Sequence, residues 1–198
     1  DDALLFEYNS LQDMFTNSYV AQGTKYITCD VARLGADKSV IILWDGLRAE
    51  KITSIAKNTI PEIIAKISTL RNEHQIPNSK IVIDQDGVGG GVVDAFSGCV
   101  GFMNGGKALK GENYQNLKTQ CYFKLAELIN KDKTFKDIII TELEVVKRDK
   151  VDKDSQKLAL EGKDIQKQKL GRSPDYADAL MMRMWFECFG SYGEYALI

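Results

Sequence analysis

Histidine is almost missing from this chain: the single one, His74, lies in the polar stretch Arg71-Asn72-Glu73-His74-Gln75 before a proline. A Ser-His-Asp or Cys-His catalytic set would have to rest on this loop residue, far from any candidate nucleophile, and both are rejected. Paired cysteines are missing as well. Cys29, Cys99, Cys121 and Cys188 are widely spaced with no C-x-x-C pair, which excludes a recognisable zinc site or disulfide framework. They read as buried structural thiols in a reducing compartment. No apolar run approaches the ~20 residues of a membrane-spanning helix, and the first residues lack the basic-then-apolar order of a signal peptide. The expectation is a cytosolic protein. Nor is there an excess of positive charge, the formal net charge being −2. The chain as a whole is no nucleic-acid glue, so any DNA contact must come from a local basic patch. Internal repeats and low-complexity tracts are not found.

What is there fits one globular domain: 198 residues, 44% apolar and 27% charged, suffice for a sizeable core. Residues 1–23 are mixed, with a short amphipathic pattern at Leu4, Leu5, Leu11 and Met14, and are expected to be an arm or a linker from something upstream. Residues 24–198 are expected to form the domain. Lys25–Val31 and Ser39–Asp45 are β-branched apolar runs with Gly35 in the turn between them, and Glu50–Ala56 adds a third strand to a meander. Apolar residues at 60, 63, 64, 67 and 70 have helical spacing, with Pro61 in the first turn. A strand (Lys80–Asp84), a glycine-rich turn (Gly87, Gly89, Gly90, Gly91), a short helix around Val92–Phe96, a strand at Cys99–Met103 and a helix from about Asn116 to Asn130 follow. This order predicts a mixed α/β sheet, an antiparallel meander followed by parallel crossover strands, flanked by helices. It is also the order of a ribonuclease H-like fold.

Three acids stand where such a sheet would gather them. Asp30 ends Tyr26-Ile27-Thr28-Cys29, Asp84 ends Ile81-Val82-Ile83, and Asp175 opens the helix-like Pro174–Leu180. Converging carboxylates repel by roughly 4 kcal/mol per pair at 4 Å and an effective dielectric near 20. Divalent cations remove that repulsion, and an oxygen-rich site suits magnesium or manganese. Asp37 lies across a glycine turn from Asp30. An Asp at a strand end is commonly just a turn former, so that segment alone is weak. In Asp84-Gln85-Asp86-Gly87-Val88-Gly89 the glycines allow close backbone approach, and alternation turns Asp86 into the loop and leaves Asp84 as the better ligand. Ser173 is a plausible N-cap with Pro174 at the first helical position. Capping accounts for Asp175 but not for Asp178 on the same face.

The segment Gly101–Ala108 imitates a phosphate loop until its last position, where Ala108 replaces the hydroxyl that would bind magnesium; it is set aside. Residues 142–162 read as an extended hairpin or a long loop. From 145 to 172 there are nine Lys/Arg (147, 148, 150, 153, 157, 163, 167, 169, 172) against five Asp/Glu (149, 152, 154, 161, 164). Lys147, Arg148, Lys150, Lys153 and Lys163 are the candidate phosphate contacts, against the alternative of a solvated surface hairpin.

At the three acidic segments the chain resembles the C-terminal nuclease domain of the large terminase subunit of tailed bacteriophages. The resemblance runs from about Lys25 to Phe189 and rests on D-x-A-x-x-G-x-D at Asp30–Asp37, D-x-x-G-x-G at Asp84–Gly89, and Gly171–Leu180. It implies a ribonuclease H-like fold and cleavage of double-stranded DNA during genome packaging. Asp30, Asp84 and Asp175 match the metal-binding acids, and Asp37 and Asp178 match accessory acids. Two divalent metal ions, Mg2+ or Mn2+, are implied, ~3.5–4 Å apart, with Lys163 steadying the scissile phosphate. The partners implied are double-stranded DNA, the packaging ATPase domain, the small terminase subunit and the portal, in the cytoplasm of an infected or prophage-carrying bacterium. The chain lacks a valid phosphate loop, so it is expected to be the nuclease part alone. Without a base-reading motif, weak sequence preference is expected. The rivals are an actin-like or sugar-kinase-like ATPase lobe, a junction resolvase of the same fold, and a non-catalytic DNA-docking module of a packaging motor.

Overall fold

The computed structural model describes residues 4–16, 22–32, 37–132, 140–149 and 157–190. Among them, five strands form one sheet in the order β3-β2-β1-β4-β5. β1 (Lys25–Asp30) pairs antiparallel with β2 (Lys38–Asp45), and β2 with β3 (Arg48–Ala56). On its other side β1 pairs parallel with β4 (Ile81–Asp84), which pairs parallel with β5 (Val100–Phe102). The expected meander followed by parallel crossovers is what the chain builds.

Strand alternation gives the sheet two apolar faces. Ile27, Cys29, Ile41, Leu43, Ile81 and Ile83 point to one side and pack with Ile63, Ile67 and Leu70 of α2 (Ile60–Glu73) and Val92 of α3 (Gly90–Val93). Helix α2 opens with a capping box in which the Thr59 N–H donates to Glu62 Oε2 at 2.7 Å. Val40, Ile42, Trp44, Val82 and Phe102 point to the other side. There they meet α1 (Tyr8–Thr16), α4 (Leu117–Asp132), α5 (Ile140–Glu144), α7 (Asp175–Met182) and α8 (Met184–Gly190). A short helix, α6 (Lys163–Leu170), precedes α7 and ends on Gly171 in the left-handed region. Leu5, Phe6, Leu11 and Met14 are buried in this second core. Asn130 also ties the segment down, accepting from the Glu7 N–H and donating to the Leu5 carbonyl.

Two local departures from the sequence reading have clear causes. The glycine turn after β4 itself winds into helix, because the Val92 and Val93 N–H groups both donate to the Gly89 carbonyl; α3 therefore starts at Gly90, ahead of the expected Val92. At α7, Pro174 occupies the cap position in place of Ser173. The first-turn acceptor is instead Glu142, whose Oε2 takes the Ala177 N–H at 2.8 Å.

Gly89 is fixed by contact. A Cβ there would lie 1.7 Å from the Asp84 carbonyl oxygen. Gly89→Ala must displace the loop that follows the second acid. The expected cost is about 2 kcal/mol or more, read as a lower melting temperature.

Candidate functional site

Parity brings the first two acids together. Cys29 is paired with Ile83 in the parallel register. One position further on, Asp30 and Asp84 end neighbouring strands on the face that carries α4 and α7. Their carboxyls are close enough to share a hydrogen bond. Helix α7 crosses this face with its N-terminus at the strand ends. There Asp175 Oδ2 accepts the N–H of Lys38, the first residue of β2, at 2.8 Å. Asp178, three residues on, is buried and binds three groups. Its Oδ1 accepts from Tyr122 Oη and Lys118 Nζ, both at 2.7 Å, and its Oδ2 meets Lys163 Nζ at 3.2 Å.

The electrostatics record crowding. Burial, then the negative charges of Asp178 and Asp84, push the Asp30 carboxyl well above the usual range. Burial pushes Asp84 up to about 6, against the pull of the Asp86 N–H on its carboxylate. Asp175 is also raised, by burial first. Asp178 moves the other way: burial opposes its charge, but Lys118 and Lys163 outweigh it. Burial likewise opposes the Lys163 ammonium, yet Asp178 and Asp30 hold its pKa above the ordinary value. Four carboxylates thus share two ammonium groups, an excess of negative charge that, with burial, holds Asp30 and Asp84 above their ordinary pKa.

Of the candidates from sequence, Asp30, Asp84, Asp175, Asp178 and Lys163 converge at this one place. Asp37 turns its carboxylate to Lys167 Nζ at 3.2 Å, while its charge still raises Asp175. Lys147 pairs through its backbone with Leu4, and the Arg148 guanidinium lies 5.4 Å from the centre of the Phe123 ring. Lys150 and Lys153 lie outside the described residues. Asp86 shares a partner with Asp84: its Oδ2 takes the Asn104 N–H and side-chain amide. The false phosphate loop opens no helix after Lys107 but a single short turn at Leu109–Gly111.

Sequence reading missed Asn104, Lys118, Tyr122 and Glu142. Asn104 Nδ2 also reaches Asp84 Oδ1, at 3.2 Å. Lys118 and Tyr122 are four residues apart on one face of α4, a spacing that marks them as a pair without revealing Asp178 as their partner. Glu142 is fully buried and ion-paired with Arg172, fixing the start of α7. Lys118→Met is expected to cost about 2 kcal/mol, since it removes one of two cations from a buried carboxylate; urea denaturation reads it.

Among the described residues, no three Asp, Glu, His or Cys side chains stand grouped tightly enough to hold an ion as they lie. The donor set nevertheless fits a hard divalent cation. It is all carboxylate oxygen, and burial, with neighbouring negative charge, raises the pKa of two of its members.

No protein-family model and no curated protein matches the sequence. Solved structures do match, and they share the ribonuclease H-like arrangement. The nuclease domain of the large terminase subunit gp2 of bacterial virus Sf6 aligns with a TM-score of 0.74 at 23% identity, covering 91% of this chain and 98% of that one. A variant of that domain with manganese gives 0.72 at 22% identity, covering 91% and 98%. The large terminase nuclease from thermophilic phage G20c with bound magnesium gives 0.62 at 15% identity, covering 92% and 97%. The chain has the fold of phage large terminase nuclease domains.

Proposed function

We propose that this protein is a metal-dependent endonuclease that hydrolyses double-stranded DNA with little sequence preference, as the nuclease part of a phage packaging terminase. The observation that carries this is the Asp30–Asp84 pair on adjacent strand ends, with Asp175 and Asp178 of α7 set over the same face. The structural neighbours support it, and two of them bear manganese and magnesium.

Asp30, Asp84 and Asp175 would together hold two divalent ions, with Asp30 the central ligand. Such ions lower the pKa of an attacking water and stabilise charge on the leaving 3′ oxygen. The chain's own part is to fix positions. The sheet holds Asp30 and Asp84 side by side, and the Lys38 N–H holds Asp175. Asp178 anchors the Lys163 ammonium beside them, where it can take a non-bridging phosphate oxygen. Asp37 and Asp178 serve as accessory acids. Lys147, Arg148, Lys150 and Lys153 would contact phosphates along the duplex, which positions DNA without reading it. The packaging ATPase domain, small subunit and portal are the partners of this reading, and the bacterial host cytoplasm its location.

The test is cleavage of supercoiled plasmid in EDTA, magnesium or manganese. Linearisation with either ion and none in EDTA supports the reading. DNA binding that is unchanged by loss of the acids, with no cutting under any condition, would convert it to the docking module.

A further inference from the structure

The segment Gly101–Ala108 is no phosphate loop, and its glycines serve packing instead. Gly101 has no room for a side chain, since a Cβ there would lie 2.1 Å from Gln85 Oε1. A Cβ on Gly106 would come within 3.0 Å of the Met103 carbonyl oxygen, to which the Gly106 N–H donates to close a turn. That turn carries Asn104, half-buried and two residues past β5. The Asn104 N–H donates to Asp86 Oδ2 at 3.1 Å, and its carbonyl accepts the Lys118 N–H at 3.2 Å in the first turn of α4. Its side-chain Nδ2 donates twice, to Asp86 Oδ2 at 2.9 Å and to Asp84 Oδ1 at 3.2 Å. Asp84 Oδ1 also takes the Asp86 N–H at 3.0 Å. One oxygen of the second acid is thus held by two donors. The amide fits one way only: turned over, it would set its own oxygen against two carboxylates.

We propose that Asn104 is a positioning residue for metal binding: it holds Asp84 Oδ1 and leaves Oδ2 as the oxygen that meets the cation. The inference rests on the nuclease reading and gives Asp86 a part in it. A carboxylate turns about its last bond at little cost, so an unsupported acid at a strand end presents either oxygen. Two fixed donors on Oδ1 remove that freedom, and a ligand oriented before the ion arrives binds it more tightly. Asp86 orients the amide in turn, because its Oδ2 takes both the backbone N–H and the side-chain N–H of Asn104. Asn104 acts through Asp84.

The experiment titrates Mn2+ into the DNA-free protein by calorimetry and measures KM for plasmid DNA, for the wild type and for Asn104→Ala. That variant keeps both backbone hydrogen bonds at this position. The expected result is Mn2+ binding weakened about tenfold, with KM for DNA within about twofold of the wild type and cleavage restored by raising Mn2+. A residue that only held the loop would lower the melting temperature in EDTA and leave the Mn2+ affinity of the folded protein unchanged. If Asn104→Ala does not fold, Asn104→Ser carries the test, because a single O–H does not bridge two acids. An Mn2+ affinity equal to that of the wild type overturns the positioning role and leaves the nuclease reading intact. So does a raised KM for DNA at unchanged affinity, which would make Asn104 a DNA contact. A wild type that neither binds Mn2+ nor cuts DNA overturns both.

Discussion

Asp84→Asn is expected to depress metal-dependent plasmid cleavage at least about a hundredfold, the scale seen when one group that stabilises developing charge is removed. The same variant is expected to melt higher than the wild type in EDTA. The Asp86 N–H and the Asn104 amide both donate to Asp84 Oδ1, and an amide oxygen can accept from both. What the substitution removes is a second negative charge pressed against the buried Asp30. Activity and metal-free stability therefore move in opposite directions, as expected where a site is built from mutually repelling groups. Cleavage unchanged in the variant would mean that Asp84 is no ligand; a lower melting temperature would mean that its charge is compensated in some way other than by a metal.

The wild-type protein in EDTA is expected to lose stability as pH rises from about 4 to about 6. The sign follows from proton counting. Burial raises the folded pKa of Asp84 to about 6, and that of Asp30 in the same direction. Through this window the folded chain therefore holds more protons than the unfolded one, and stability falls with pH until both carboxyls are ionised. For Asp84 alone the loss is roughly 3 kcal/mol at most, at ~1.4 kcal/mol per pKa unit. For a chain of this size that is a melting-temperature fall of several degrees, about 2–4 °C per kcal/mol. Magnesium or manganese at 100 times its dissociation constant returns about 2.7 kcal/mol, so the metal-dependent rise in melting temperature should be larger at pH 7 than at pH 4. A rise equal at both pH values would count against binding through these carboxylates.

The strands were legible as short β-branched apolar runs, and their directions from the order of strands and helices along the chain. That Asp30 and Asp84 share a face came only with the register, Cys29 beside Ile83. Helix α6 was not legible. Its sequence Lys163–Leu170 has two apolar residues, one of them the exposed Ile165, so no helical period shows above the charge pattern. The partners of Asp178 were hidden for another reason. Tyr122 lies 56 residues before it, and Lys118 one helical turn earlier still; contacts at that range are made by packing, and a single sequence does not carry them. Glu142 stayed hidden likewise, inside a stretch that read as an extended hairpin or a long loop.

The separation of the Asp30 and Asp84 α-carbons is a property of hydrogen-bonded main chain, since neighbouring strands lie ~4.8 Å apart whatever side chains they bear. The backbone thus acts as a ruler for the spacing of these two carboxylates. Apolar residues on β1, β2 and β4 are free to drift among Val, Ile, Leu and Cys as long as the alternation persists. A chain can then keep this sheet in common with domains to which it is only 15–23% identical.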